Sequence, residues 1–477
     1  MKTETMINKI TKATCLFTLL LFFVLEIKAE VILPAIFGDN MVLQQQTDAA
    51  IWGKASPSKK VSVTTSWNKK TYSATADKDG KWKVKVATPV AGGPYQITIS
   101  DGKTLKLNNV LIGEVWICSG QSNMQMTMLG YKNQPIIGAN RAIATSKNNN
   151  IRLFTVKRER SLEPVDDFEG DWKLCEPENV GDFSAAAYFF GKMINESLDV
   201  PVGLICTSWG GTRIEPWMSE EKLKQYDWVK LPEKDKKESQ HQDPTSLFNK
   251  MINPMVGYAL RGGLWYQGEA NRNEPKEYEK LMAGLVENWR EVWGIGDFPF
   301  YYAQIAPYFY GKDALNSAYI REAQLKVSTA IPNMGMVSLM DAGEKHCIHP
   351  ANKQVVGERM AYLALTQTYG QEGFECSGPI LKEMKVDGSI AKLTFDHAEH
   401  GLTTYGKELE NFEIAGENQR FFPATAFITG EGISVYSPSV PNPVAVRYAF
   451  QDFVVGELFN TEGLPASSFR TDDWEMK

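Results

Sequence analysis

A chain of 477 residues with 43% hydrophobic content is long enough for two or three domains, each with a sizeable core. Its formal charge of −6, from 57 acidic against 51 Lys and Arg residues, comes with no long basic run or aromatic-basic stripe, which speaks against a nucleic-acid partner. Twelve Trp and eighteen Tyr suit a protein that stacks sugars on flat rings, but they suit large β cores equally well.

The first segment reads as an export signal. Lys2, Lys9 and Lys12 precede an apolar run from Cys15 to Leu25, and Ala29 supplies a small residue before a cleavage point. The run is too short for a comfortable membrane span. Loss of residues 1–29 removes four Lys and two Glu and leaves a formal charge of −8. Five cysteines then remain, Cys118, Cys175, Cys206, Cys347 and Cys376, odd in number and widely spaced. They do not make a disulfide scaffold, so a periplasmic or secreted protein that does not rely on crosslinks is expected. No second membrane segment follows, and oligomeric state is not legible.

Residues 30–107 read as a β-sandwich domain. Strands are predicted at Ile32–Phe37, Met41–Gln45, Lys60–Thr65, Thr71–Ala76, Lys81–Val86 and Tyr95–Ser100, separated by Gly, Pro, Asn and Asp. From 108 to 375 the pattern becomes α/β. Buried strands are predicted at Val115–Cys118, Ile151–Val156, Val202–Thr207, Gly262–Trp265, Phe300–Ile305 and Met334–Leu339, and helices at Phe183–Ile194, Tyr278–Trp293 and Val355–Thr366. Glu221–Gln240 is charged enough to be a solvated helix or an inserted loop. Residues 376–477 return to short strands at Ile390–Phe395, Phe412–Ala415, Phe421–Ile428, Ile433–Ser437 and Val444–Phe450, a second β region.

Three apolar runs in the middle region end abruptly in small polar residues. Val115–Cys118 opens into Ser119-Gly120-Gln121-Ser122-Asn123, which places a hydroxyl at the carboxyl end of a buried strand. Ser122 reads as a nucleophile, with Gly120 permitting the tight turn and Gln121 and Asn123 orienting it. Val202–Thr207 opens into Ser208-Trp209-Gly210-Gly211-Thr212, whose adjacent glycines can turn backbone N–H groups toward an anion. Gly262–Trp265 leads into Gln267-Gly268-Glu269, an amide donor beside an acid that could orient a base. Of five histidines, His346 and His349 cluster in Asp341–Pro350, just before a helical pattern, where a general base is plausible. With Asp341 and Glu344 the same two could instead hold a metal, although no His-Glu-x-x-His zinc pattern occurs.

These blocks together resemble the sialate O-acetylesterase family of the GDSL-like, or SGNH, hydrolases. The resemblance rests on GEVWICSGQSNM (113–124), SWGGTRIEPW (208–217), WYQGEAN (265–271) and IHPANK (348–353), with DNMVLQQ (39–45) and VRYAF (446–450) extending it along the chain. It implies a three-layer α/β/α catalytic domain flanked by β regions, and a serine carbohydrate O-acetylesterase that needs no metal or organic cofactor. By motif, Ser122 becomes the nucleophile rather than Ser119, and His349 the base rather than His346. The broader superfamily often has an Asp three residues before its catalytic His; here that place is His346. The acid therefore stays open among Glu269, Asp341 and Glu344, in that order, with a Ser–His dyad as a further option. The oxyanion donors implied are the Ser122 N–H, an N–H at Gly210 or Gly211, and the Gln267 amide. Acetylated sialic acid is the first substrate expected, and Arg213, Asn271 and Arg272 are the best placed to bind it, ahead of Arg261 and Arg321. Acetylated xylan or another polysaccharide is the alternative substrate. A noncatalytic carbohydrate-binding protein and a lipase are the alternative functions.

Overall fold

The computed structural model describes residues 30–233, 237–311 and 314–475. The expected leader, 1–29, lies outside them.

A seven-stranded sheet forms the centre. Its strands are β1 (Thr104–Gly120), β2 (Asn148–Thr155), β3 (Trp172–Cys175), β4 (Val202–Ser208), β5 (Gly262–Tyr266), β6 (Phe300–Ala303) and β7 (Met334–Val337), in the spatial order β7-β6-β5-β1-β4-β2-β3. All neighbours are parallel except β3, which closes one edge antiparallel to β2. Near-continuous apolar runs form these strands because both faces are covered. Alternation along β1 shows it: Val115 and Ile117 join one apolar cluster, while Trp116 and Cys118 join the other.

Helices supply the two outer layers. Over one face, α2 (Ala185–Leu198) packs on α5 (Lys353–Leu363). They approach so closely that a Cβ at Gly357 would lie 2.6 Å from the Phe190 nitrogen. Over the other lie α3 (Pro275–Trp293), which buries Leu281, Leu285 and Trp289, and α4 (Asn316–Ala330). A one-turn helix, α1 (Ser122–Gln125), follows β1 directly. The chain leaves β1 toward one side of the sheet and later crosses to β5 on the other. The crevice at the carboxyl ends of β1 and β5 is therefore the switch point where such sheets bind ligands.

The amino-terminal strands do not end at residue 107. β1 begins at Thr104, pairs antiparallel with Gly92–Ser100 and parallel with Val42–Gln44, and continues into the central sheet. The expected strand Ile32–Phe37 is a single bridge at Ile32 followed by turns, and Asp48–Lys54 is an additional strand paired with Lys81–Ala87. In the charged stretch, only Glu220–Leu223 is helical among the described residues. At the carboxyl end, two four-stranded antiparallel sheets share an apolar cluster that includes Leu393, Ile414, Val435 and Tyr448. The expected strand Phe421–Ile428 is divided between them: Phe421–Pro423 pairs in one sheet and Thr425–Thr429 in the other. Pro423 lacks the N–H that would continue a ladder, and the chain changes sheets there.

Candidate active site

β1 stops where its backbone must turn away from the sheet. Gly120 has φ +137°, and a Cβ there would collide with the carbonyl of Tyr266 on β5. The Gln121 N–H donates to that carbonyl at 3.0 Å, and Gln121 Oε1 accepts from the N–H groups of Gly268 (3.4 Å) and Ala270 (3.3 Å). The first and third sequence blocks are thus sewn together directly beneath Ser122, which is half-buried at the start of α1. Asn123 beside it is buried. Its Nδ2 donates to Glu269 Oε1 at 2.6 Å and to the Ile348 carbonyl at 3.1 Å.

The Ile348 bond brings in the histidine loop. His349 is half-buried and His346 exposed. The Tyr131 ring meets the His349 ring edge-on, with centroids 5.1 Å apart, and its hydroxyl donates to the Ser122 carbonyl at 3.0 Å. His349 Nδ1 lies 2.7 Å from Gln134 Oε1. None of the three candidate acids bonds to either ring nitrogen. Asp341 is held bidentate by Arg359, at 2.8 and 2.6 Å. Glu344 accepts from the Ala351 N–H at 2.7 Å. Glu269 takes Asn123, and its second oxygen is buried without a partner among the described residues. Burial, with the Lys353 charge adding to it, pushes His349 down to about 4, so its ring is neutral at neutral pH.

On the other flank, Gly210 lies against Ser122: a Cβ built on it would be 3.2 Å from the Ser122 Cβ. Its N–H donates to Gln125 Oε1 at 2.6 Å. Gly211 is exposed at φ +73°. The Gln267 amide is buried, and Nε2 is occupied by Thr212 O (3.1 Å) and Asn271 Oδ1 (2.8 Å). Asn271 also accepts from the Ile214 N–H and donates to Glu215, so it braces two loops from within. Arg213 is clamped between Glu215 and Glu274. Arg272 instead stacks on the Tyr310 ring, its guanidinium 4.2 Å from the centroid, with no carboxylate partner among the described residues. Arg261 and Arg321 are committed elsewhere, to Glu114 and to Ser468 with the Gln451 carbonyl. Among the described residues no group of three or more His, Cys, Asp or Glu is arranged to hold a metal ion.

Sequence reasoning did not single out Tyr131, Gln134, Gln125 or Lys353. Lys353 stood inside the IHPANK block, but Tyr131 and Gln134 lie in an irregular segment with no periodicity and no motif to mark them.

A family model described as carbohydrate esterase, sialic acid-specific acetylesterase, matches residues 112–366, a span that contains all four principal blocks. Human sialate O-acetylesterase is 31% identical over 425 residues, covering 79% of this chain and 78% of its own. The chain belongs to the sialic acid-specific acetylesterase family. It is a carbohydrate O-acetylesterase, a carboxylic ester hydrolase. Within the family, mouse sialate O-acetylesterase is 28% identical over 484 residues, covering 86% of this chain and 88% of its own. The crystal structure of a carbohydrate acetylesterase from Xanthomonas citri aligns with TM-score 0.85 and 35% identity, over 93% of this chain and 100% of that one.

Proposed function

We propose that this esterase works by an acetyl-serine mechanism with Ser122 as nucleophile and His349 as base. The observation that carries the reading is the Tyr131 bridge, which touches the His349 ring and the Ser122 carbonyl at once. With Nδ1–H donating to Gln134, the ring presents an unprotonated Nε2 as the free nitrogen. Nε2 takes the Ser122 proton as Oγ attacks the acetyl carbonyl carbon. The oxyanion accepts from the Ser122 N–H, with the Gly210–Gly211 backbone on the facing side. Gln267 fixes that side, its Nε2 donating to Thr212 O and Asn271 Oδ1. Collapse breaks the ester C–O bond, and the proton on Nε2 passes to the departing sugar oxygen. Water, deprotonated by the same nitrogen, then attacks the acetyl-enzyme, releasing acetate and returning the proton to Ser122.

The first substrate proposed is an O-acetylated sialic acid. Human and mouse relatives carry the name sialate O-acetylesterase. Arg272, which directly follows the loop of Glu269, Ala270 and Asn271, has a guanidinium free of carboxylates among the described residues to meet the sugar's carboxylate. A neutral acetylated polysaccharide is the second reading. Trp209, next to Gly210, stacks on His241 with centroids 5.3 Å apart and planes at 16°, a flat aromatic wall of the kind uncharged sugars use. The test is acetate release from acetylated sialic acid, acetylated xylo-oligosaccharides, a small acetyl ester and a long-chain ester. Ser122→Ala, folded as judged by circular dichroism, should release none; normal turnover would refute the nucleophile. Arg272→Ala should lower kcat/KM for the sialate roughly tenfold or more and spare the small ester. Equal loss on both would remove Arg272 from substrate recognition. Export through the leader is likewise proposed, and amino-terminal sequencing of the protein recovered outside the cytoplasm should begin near Glu30.

A further inference from the structure

One charged group lies behind the site and takes no part in the steps above. Lys353, the first residue of α5, is fully buried. Its ammonium donates to Asn123 Oδ1 at 2.5 Å and to the Pro350 carbonyl at 3.0 Å, and it sits over the Tyr266 ring, 5.5 Å from the centroid. The other end of the same Asn123 amide donates to Glu269 and to the Ile348 carbonyl. A cation and an anion, both out of water, are therefore bridged by one amide whose oxygen faces the cation and whose nitrogen faces the anion. That amide belongs to the residue after the nucleophile. The two carbonyls it and Lys353 hold, Ile348 and Pro350, flank His349.

Resting on the Ser122–His349 reading, we infer that Lys353 is a positioning residue for the esterase: it ties the nucleophile turn to the base loop through Asn123 and Pro350, and its charge disfavours a second cation on His349. Burying an ammonium is costly unless its partners compensate, and a hydrophobic residue could fill the space without that cost. What the ammonium adds is a tie between three chain segments and a fixed field at the base. The groups facing His349 are Tyr131, Gln134, the Cys347 thiol, which donates to its carbonyl at 3.2 Å, and Lys353. Those facing Lys353 are Glu269, Glu344, Cys347 and the Tyr266 ring. Burial lowers Lys353 to about 7, with Glu269 opposing, so the ammonium is charged through the acidic range in which His349 would otherwise take up a proton. A cation there lowers the pH at which the base is lost.

The test is the pH dependence of kcat/KM on a small acetyl ester, in Lys353→Met and Lys353→Arg beside the unsubstituted enzyme. Lys353→Met should lower kcat and move the acid limb to higher pH by about half a pH unit or more. Lys353→Arg should return the limb toward its original place. A uniformly weaker Lys353→Met enzyme with an unmoved acid limb would overturn the electrostatic role. If Lys353→Met does not fold, the His349 ring resonance, assigned by its loss in His349→Ala, decides the matter. In Lys353→Gln, a His349 titration moved to higher pH than in the unsubstituted protein supports the inference, and an unmoved titration overturns it. Ser122→Ala and His349→Ala separate the two failures: activity surviving in either refutes the mechanism, whereas both being inactive with an unmoved Lys353→Met limb refutes only the role of Lys353.

Discussion

Gln134 is the residue whose placement most constrains the chemistry. An imidazole acts as a base only if the proton sits on the nitrogen away from the nucleophile, and Gln134 Oε1, 2.7 Å from Nδ1, sets that tautomer without adding charge. In the proposed mechanism a neutral acceptor would steady the imidazolium formed during attack less than a carboxylate would, but it leaves the resting ring deprotonated. Gln134→Leu should therefore lower kcat about 10- to 100-fold with KM little changed, measured on a small acetyl ester. Gln134→Glu should raise the pH of the acid limb, because a carboxylate favours the protonated ring. An acid limb at the same pH would mean that Gln134 does not govern the base. Asp341 gives the opposite expectation. Its carboxylate is neutralised by the buried Arg359, so Asp341→Asn strands that guanidinium and should cost about 2–4 kcal/mol of stability, seen as a lower unfolding midpoint. The folded fraction should keep its kcat. A hundredfold drop in a well-folded Asp341→Asn would return Asp341 to the reaction.

The element that concentrates this chemistry is the end of β1. Its turn depends on Gly120, since any side chain there meets the backbone of β5 and φ +137° is strained for other residues. Gly120→Ala should push β1 and β5 apart, break the Gln121–Tyr266 bond, and abolish activity along with about 3 kcal/mol or more of stability. A fully active, equally stable Gly120→Ala would show that the two strands can separate at no cost to the site. The same strand shows what the sequence could and could not disclose. Its apolar run and the polar break after it are local, as are those of β4 and β5, and the three breaks fall at the carboxyl ends of neighbouring strands. Helix α4 was not anticipated, because Arg321 and Gln324 lie fully buried on it and interrupt the apolar stripe by which a helix is read. Gln324 is there to bond the Gln267 carbonyl and the Ile305 N–H, and Arg321 to reach Ser468 and the Gln451 carbonyl. The choice among the three acids was beyond sequence for a related reason. Each carboxylate is committed to a partner, Asn123, Arg359 or the Ala351 N–H, and such commitments between loops leave no periodic trace. Gln134 is the same case, meeting His349 across 215 residues of chain.

Across the whole molecule, β1 also carries, where it enters the central sheet, a buried charge that takes no part in the proposed chemistry. Glu114 is fully buried. Its carboxylate accepts from Arg261 Nε at 2.6 Å and a second guanidinium nitrogen at 3.0 Å, from the Tyr369 hydroxyl at 2.8 Å, and from the amides of Gln45 at 2.6 Å and Gln44 at 3.2 Å. Those partners come from the amino-terminal strands, from the segment before β5, and from the turn after α5. The DNMVLQQ stretch thereby acquires a structural purpose, because its two glutamines dock the amino-terminal layer onto the central sheet. Since the carboxylate is out of reach of salt, the assembly should hold at high ionic strength. Glu114→Leu leaves one guanidinium, one phenol and two amides with unmet bonds and should cost about 3–5 kcal/mol. Glu114→Gln keeps the shape and some acceptors and should cost less. The cluster acts as a unit, so Arg261→Met combined with Glu114→Gln should destabilise by less than the two changes summed. Thermal unfolding of the four proteins, followed by tryptophan fluorescence, measures this directly. Strict additivity would mean that the amino-terminal layer is held by its apolar contacts alone.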